Sequence, residues 1–299
     1  MKDSSVIGID IGGTNFRIGT VYENLETAYF RKMPVGQVLG TEDAMGDLQC
    51  YLEDYCEMLR RDGINPGAVA IGFPATLDKD RKTVLQAPNV PFMEKLPIVQ
   101  RMTDILKMPV FIERDVCMAL YYDKEKYKIP ECEILAGCYF GTGIGNAITV
   151  HGKPLLGRNG TAGELGHIPV DGSEIPCGCG NTGCIENLAG GKYLAALCRE
   201  VYTDTGIEDI FVKHGEEPLL RQFVDRMAMA VVTEINILNP DYMIIGGGVP
   251  NMKKFPTDFL RERIVARCRK PYPAEDLNLI FAEDAEDKCV IGAALFARR

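Results

Sequence analysis

The feature of the sequence that most constrains its fold is one pattern that occurs twice, about half a chain apart. Residues 6–20 and residues 135–149 each contain an apolar run, a turn of Gly and Thr, and a second run that carries a small residue. Short apolar runs joined by a glycine turn predict β-hairpins. The repetition therefore predicts a duplicated α/β fold with two lobes, each containing one such hairpin.

The rest of the chain alternates between apolar runs and helical periodicity. Buried strands are predicted at 68–73, 110–112 and 242–245, and helices at 42–61 (capped by Thr41), 115–126, 218–238 and 289–298 (capped by Asp287). We expect an N-terminal lobe at 1–116, completed by the C-terminal helix at 287–299. The C-terminal lobe is expected at 117–286.

Charge and composition exclude several classes of protein. The 299 residues carry 33 Lys and Arg against 42 Asp and Glu, a net charge of −9, with 46% hydrophobic residues. An acidic chain without a basic cluster is a poor ligand for nucleic acid or for an anionic membrane surface. The N-terminal apolar run is too short for a signal peptide, and no stretch has membrane-spanning length. We therefore expect a cytoplasmic protein of ordinary globular type.

The first glycine turn combines a carboxylate with exposed backbone. Asp10 precedes Gly12, Gly13, Thr14 and Asn15. Glycines let a polyanion approach the backbone N–H groups closely, and the Thr14 hydroxyl adds a donor. An acidic residue beside phosphates requires a cation, which favours a nucleotide bound with Mg²⁺. A plain hairpin turn is the alternative.

Two further glycine turns follow. The second hairpin contains Gly141, Thr142, Gly143 and Gly145, and a strand rather than a helix follows it, so it is not a dinucleotide-binding fingerprint. We expect it to bind phosphate with the first turn. Gly246, Gly247 and Gly248 follow a buried strand and would allow a nucleoside to approach, although any strand-to-helix bend looks similar.

A cluster of soft ligands lies between these turns. His167, Cys177, Cys179 and Cys184 fall within 18 residues and form a Cys₃His set of the kind that binds zinc tetrahedrally. Four protein ligands leave no open position, so the expected zinc is structural. Three core cysteines and a surface histidine are the alternative. Glu164 and Glu186 flank this cluster and are suitable hydrogen-bond acceptors for a polyol.

Asp115 follows a predicted strand and opens a predicted helix. From its position alone, a helix N-cap is the favoured interpretation.

These motifs, taken together, resemble the ROK family of sugar kinases. The matching segments are, in order, Asp10-Ile-Gly-Gly-Thr, Glu-Arg-Asp115, Gly-Thr-Gly-Ile-Gly145, Ala-Gly-Glu164-Leu-Gly-His167, Cys177-Gly-Cys-Gly-Asn-Thr-Gly-Cys184-Ile-Glu186 and Gly-Gly-Gly248. The resemblance extends over residues 5–298. It implies a two-lobed, actin-like and hexokinase-like ATPase fold of duplicated ribonuclease H-like domains, with a zinc-binding segment at 167–184.

The resemblance also implies roles for individual residues. It makes Asp115 the general base that takes the proton from a hexose hydroxyl, O6, during phosphoryl transfer from ATP with Mg²⁺. Asn89, Glu164, His167 and Glu186 match sugar contacts. The first two glycine turns match the phosphate-binding turns of the family, and Gly246 to Gly248 match the residues that the nucleoside of ATP approaches. The resemblance also favours a homodimer or homotetramer, the oligomeric states common in the family.

One departure concerns the residue before the base. Most of the family has Asn there, a sugar contact, whereas this chain has Arg114, which cannot accept a hydrogen bond. The combination Gly-Phe73-Pro-Ala, Lys79-Asp-Arg-Lys82, Pro-Asn89-Val-Pro and Arg114-Asp115-Val resembles bacterial D-allose kinases. We therefore expect D-allose as the hexose and Arg114 among the substrate contacts. Glucose, N-acetylmannosamine and fructose are the alternatives.

A sugar-sensing regulator is a rival interpretation within the same family. Such regulators carry a DNA-binding helix-turn-helix segment ahead of the first phosphate strand. Here that strand begins by residue 6 and the chain is acidic. We therefore expect an enzyme.

Overall fold

The computed structural model describes residues 5–88 and 90–299 and shows an α/β chain with two five-stranded mixed sheets. Asn89, an expected sugar contact, lies outside the described residues. The strands are β1 (Val6–Ile11), β2 (Asn15–Val21), β3 (Thr27–Pro34), β4 (Ala68–Phe73), β5 (Thr76–Leu77), β6 (Val84–Gln86), β7 (Val110–Arg114), β8 (Ile134–Phe140), β9 (Ile144–Val150), β10 (Lys153–Pro154), β11 (Tyr242–Gly246) and β12 (Leu279–Phe281). The helices are α1 (Ala44–Arg61), α2 (Ile98–Leu106), α3 (Asp115–Lys126), α4 (Glu186–Ala189), α5 (Gly191–Glu200), α6 (Ile210–His214), α7 (Pro218–Leu238), α8 (Thr257–Arg267) and α9 (Lys288–Ala297).

The two sheets have the same strand order. The first runs β3-β2-β1-β4-β7 and the second runs β10-β9-β8-β11-β12. In each sheet the predicted hairpin, β1–β2 or β8–β9, pairs antiparallel, and two parallel strands follow on the side of its first strand. The predicted hairpins and the duplication of the sheet are confirmed.

The chain divides into two units. The first contains the described residues up to Ile129, Leu156–Ala162 and Ala285–Arg299, and the second contains Pro130–Leu155 and Gly163–Asp284. This division differs from the predicted boundary between 116 and 117, because α3 packs along α9 within the first unit. A buried ion pair joins these helices, with Lys288 Nζ 2.7 Å from Asp123 Oδ2.

Each face of the first sheet is covered by helices. One core lies between the sheet and α1 and α2, and the other lies between the sheet and α3 and α9. Helix α1 buries Leu48, Leu52, Tyr55 and Leu59, which recur at helical spacing as predicted. Its N-cap is Asp43, whose Oδ1 accepts the N–H of Gly46 at 2.9 Å, rather than the predicted Thr41. Thr41 instead donates through its hydroxyl to Asp47 Oδ2.

No helix in the described part of the chain is both long enough and apolar enough to cross a membrane.

The core of the second unit contains one buried carboxyl group. Glu234 of α7 is 4% exposed, and both of its carboxyl oxygens lie 2.7 Å from Asn146 Nδ2 on β9. Burial raises the pKa of Glu234 to about 8, although the Asn146 amide opposes this by hydrogen bonding to the charged form. Near neutral pH the native protein therefore holds a proton at Glu234 that the unfolded chain releases.

This pKa shift predicts a pH-dependent loss of stability. A carboxyl whose native pKa is above its ordinary value of 4.5 favours folding at low pH, and that contribution is lost as the pH rises through about 8. We expect the unfolding temperature of Glu234→Gln to fall less than that of the wild type between pH 6 and pH 9. Glu262→Gln, at an exposed position on α8, should behave as the wild type. Parallel pH dependences for Glu234→Gln and the wild type would contradict the shift.

Candidate active site

In the first unit the predicted phosphate turn lies between β1 and β2. Gly12 N–H donates to Asn15 O at 2.8 Å and closes the turn, which leaves Gly13 and Thr14 exposed. Asp10, near the end of β1, is buried and accepts a 2.7 Å hydrogen bond from Arg17 Nη1 on β2. The turn therefore has the exposed backbone that the sequence predicts, with a charged pair beside it.

Asp115 is the first residue of α3, and the N-cap position belongs to Arg114. The helix-cap interpretation of Asp115 is therefore wrong. Its Oδ1 accepts the N–H of Val116 at 2.8 Å. The backbone of Asp115 passes close to β4: a Cβ on Gly72 would lie 3.5 Å from Asp115 Cα, an ordinary van der Waals distance.

The environment of Asp115 changes its acidity. The side chain keeps partial access to solvent, but the protein around it makes desolvation the largest cause of a pKa raised to about 7. The negative charge of Asp10 raises it further, while the Val116 N–H and the positive charge of Arg114 oppose the shift. A carboxylate tuned in this way is suited to accept a proton at neutral pH.

Several neighbours of these carboxyl groups are not apparent from the sequence. Arg17 compensates Asp10, and Cys289 of α9 lies with Sγ 3.8 Å from the backbone oxygen of Asp115. Burial, Asp10 and Asp115 all raise the pKa of the Cys289 thiol. Glu113, at 1% exposure, is a charged residue that directly follows the apolar residues Val110 to Ile112 of β7, and this was the one available signal.

In the second unit, the glycine turn joins β8 to β9 and contacts the start of α5. Gly141 N–H donates to Gly143 O at 3.0 Å, and Gly141 O accepts the N–H of Gly191 at 2.8 Å. Thr142 O accepts the N–H of Lys192 at 3.0 Å. Gly145, predicted as part of the turn, lies within β9 opposite Tyr139. The contact with α5 fixes the turn from one side.

The third glycine turn begins at the end of β11. Gly246 is the last residue of β11, and Gly247 and Gly248 follow it. Asn251 holds this turn: its Nδ2 donates to Gly247 O and to Ala282 O, both at 2.9 Å. The sequence gives no local signal for this role of Asn251.

The four predicted metal ligands come together. One ligand atom from each of His167, Cys177, Cys179 and Cys184 lies within 4.8 Å of all the others. Cys177 Sγ is 3.6 Å from His167 Nδ1, and Cys179 Sγ is 3.7 Å from Cys184 Sγ. Tetrahedral zinc, with Zn–S of about 2.3 Å and Zn–N of about 2.0–2.1 Å, gives edges of about 3.6 Å for S–N and about 3.8 Å for S–S. The donor set and its spacing therefore fit a zinc ion.

The two flanking carboxylates contact this cluster. Glu164 is exposed, with Oε2 3.7 Å from His167 Nε2, the ring nitrogen that does not face Cys177. Glu186 places Oε1 3.5 Å from Cys177 Sγ and Oε2 3.4 Å from the N–H nitrogen of Ile144. A Cβ on Gly143 would lie 2.4 Å from Glu186 Oε2. Glu186 therefore contacts both the Cys/His cluster and the second glycine turn, a link that the sequence does not predict.

Comparisons with known proteins identify the family of this chain. The family model that matches, over residues 6–299, is that of the ROK family. A glucokinase from Thermotoga maritima is 28% identical, with 98% of this chain and 97% of that protein covered. An N-acetyl-D-glucosamine kinase from Yersinia pseudotuberculosis is 31% identical, with 88% and 92% covered.

Among solved structures, a ROK family glucokinase from Streptomyces griseus, in complex with glucose and AMPPNP, has the same fold. Its TM-score is 0.78 at 24% identity, and 99% of each chain is covered. The match of the family model along almost the whole chain, together with these relatives, shows that this chain belongs to the ROK family.

Proposed function

We propose that this ROK protein is an ATP-dependent hexose kinase that transfers the γ-phosphoryl group of ATP to O6 of a hexose. The observation that carries the proposal is Asp115, whose carboxyl combines partial solvent access with a pKa raised to about 7. A general base works best when its pKa lies near the working pH. The glucokinase and N-acetyl-D-glucosamine kinase relatives support the same reaction class.

In the proposed mechanism Asp115 orients the sugar hydroxyl and accepts its proton as the phosphoryl group is transferred. The turns would supply backbone N–H groups from Gly13 and Thr14 and from Thr142 and Gly143 to the phosphates of the ATP substrate. Mg²⁺ bound with ATP would neutralise charge on the phosphates. Asp10 offers that cation a hard oxygen donor, while Arg17 holds its carboxylate in place.

For the sugar, Glu164, His167 and Glu186 are the proposed contacts in the described part of the chain. Glu164 and Glu186 both contact the Cys/His cluster, so a metal there would hold their positions. Of the hexoses, D-allose is the one that we propose, because of Arg114 and the other segments that resemble those of bacterial D-allose kinases. The homodimeric or homotetrameric state and the cytoplasmic location stay predictions.

The experiment that tests the function is ADP release from MgATP over D-allose, D-glucose, N-acetyl-D-glucosamine, D-mannose, N-acetyl-D-mannosamine and D-fructose. We expect turnover on allose to exceed that on glucose, and Asp115→Asn to lower kcat by about 10²-fold or more, because the amide cannot accept the proton. Asp104→Asn, at an exposed position on α2, should retain full activity. Near-normal turnover by Asp115→Asn would show that Asp115 is not the general base. Fastest turnover on another sugar would contradict the choice of D-allose but leave the kinase reaction in place.

The raised pKa predicts a specific pH profile. Since the base must be ionised, kcat/KM should rise with pH and level off above an apparent pKa of about 7. Asp10→Asn removes a neighbouring negative charge, so the apparent pKa in its kcat/KM profile should be lower than in the wild type, even though its rate is reduced. A kcat/KM that falls only below an apparent pKa near the ordinary value of 3.8 would contradict the assignment of Asp115 as a base with a raised pKa.

We also propose that the Cys/His cluster binds one structural Zn²⁺. The zinc would stabilise the segment that carries Glu164 and Glu186, since a four-ligand site is closed to substrate. We expect about one zinc per chain in the wild type by elemental analysis. Cys184→Ser should lose the metal and unfold at a lower temperature. Cys50→Ser, at an exposed thiol of the first unit, should keep both the zinc content and the unfolding temperature of the wild type. Full zinc retention by Cys184→Ser would contradict the proposed site.

A further inference from the structure

The loop Leu156–Ala162, called the strap here, belongs to the first unit, although the residues before and after it belong to the second. Its two ends are joined, because the N–H of Ala162 donates to Leu156 O at 3.1 Å. Arg158 and Asn159 of the strap are exposed, whereas Gly160 is buried. The strap is therefore a small closed loop with one side held against the first unit.

Arg81 binds the strap from the turn between β5 and β6. Its Nη1 donates to Gly160 O and to Asp78 O, both at 3.1 Å, and its Nε donates to Glu113 Oε2 at 2.9 Å. Asp78 Oδ1 fixes this turn by accepting the N–H groups of Lys82 and Thr83 at 2.7 and 2.9 Å. Arg81 thus links the strap to a buried carboxylate of β7.

Arg114 binds the strap from the other side of that carboxylate. Glu113 Oε1 accepts the backbone N–H of Arg114 at 2.9 Å, and Arg114 Nη2 donates to Ala162 O at 3.0 Å. One buried carboxylate therefore binds the guanidinium of Arg81 and the backbone N–H of Arg114, and each of these two arginines binds one carbonyl of the strap. Hydrogen bonds of buried charged groups are costly to break, because the remaining partner stays desolvated.

Gly160 shows how closely the strap is held. Its φ is +83°, and a Cβ would lie 2.8 Å from Arg81 Nη1 and 3.2 Å from Leu77 O. Glycine alone adopts this backbone readily and leaves this space. An alanine at position 160 should therefore displace the strap without removing any charged group.

We infer that Arg81, Glu113 and Arg114 form a positioning network that holds the strap and, through it, orders the stretch of chain that leads into Glu164. This inference rests on the proposed function, in which Glu164 and His167 contact the sugar. Glu164 follows Ala162 by two residues, so an ordered strap reduces the conformational freedom that sugar binding would have to remove. Arg114, expected among the substrate contacts, acts in this account on the strap and affects the choice of sugar through it.

The test compares Gly160→Ala with Gly63→Ala. Gly63 also lies in the first unit with φ of +79°, but no atom lies within 4 Å of its Cβ position, so it controls for backbone strain alone. We expect trypsin to cleave after Arg158 faster in Gly160→Ala than in either Gly63→Ala or the wild type, with the site identified by mass spectrometry. We also expect the KM for the best sugar to rise about tenfold, as for loss of a hydrogen bond to a charged group, with the KM for MgATP within about twofold.

Arg114 variants provide a second measurement, independent of the folding of Gly160→Ala. Arg114→Met should raise the sugar KM and the cleavage rate, and Arg114→Lys, which keeps a charged donor, should lie between Arg114→Met and the wild type. Faster cleavage with an unchanged sugar KM would overturn the positioning role, and equal cleavage rates in Gly160→Ala and Gly63→Ala would overturn the network itself. If the wild type phosphorylates no sugar, the proposed function fails, and cleavage still decides whether the network holds the strap.

Discussion

The carboxyl group of Asp115 is largely surrounded by protein, close enough to Asp10 that each negative charge disfavours the other. The first sheet creates this arrangement. Asp10, Gly72 and Glu113 lie in one row across the parallel strands β1, β4 and β7, and Asp115 follows two residues beyond that row. Arg17 compensates the charge of Asp10 so that the two carboxyl groups can coexist. The proposed chemistry depends first on the desolvation of Asp115, which raises its pKa most, and then on the negative charge of Asp10, which raises it further.

The second unit organises its residues around Glu186 in a comparable way. One carboxylate oxygen lies beside the Cys/His cluster and the other beside the N–H of Ile144 in the second glycine turn. A metal at the cluster would therefore influence the proposed sugar contacts and the proposed phosphate turn through one side chain. Glu186 is half-buried, and hydrogen-bond donors or a cation close to its carboxylate compensate for the lost solvation.

Local patterns predicted the strands and helices well wherever one pattern filled the whole element. The strands at 68–73 and 242–245, the hairpin over 135–149 and the helix at 218–238 form as expected, because apolar runs and helical periodicity are local patterns. Strand β3 went unpredicted because most of its residues are half-buried or exposed, so it lacks alternation. The grouping of His167, Cys177, Cys179 and Cys184 was predictable, because ligand type and spacing suffice. By contrast, the strap and the residues that hold it, Arg81, Glu113 and Arg114, are distant in sequence, with hydrogen-bonded partners up to 79 residues apart. Such contacts cannot be predicted from a local sequence pattern. The packing of α3 on α9, which places α3 in the first unit, cannot be predicted from one either.

The proposed chemistry requires Asp115 to ionise near neutral pH, and the direct measurement is the titration of this carboxyl group. In protein labelled with ¹³C at the aspartate side-chain carboxyl carbon, the difference between wild-type and Asp115→Asn NMR spectra isolates the Asp115 resonance. The chemical shift of that carbon should titrate with a midpoint of about pH 7. A midpoint near the ordinary value of 3.8 would mean that the carboxyl is not desolvated beside Asp10, and would contradict the account of this residue as a tuned base.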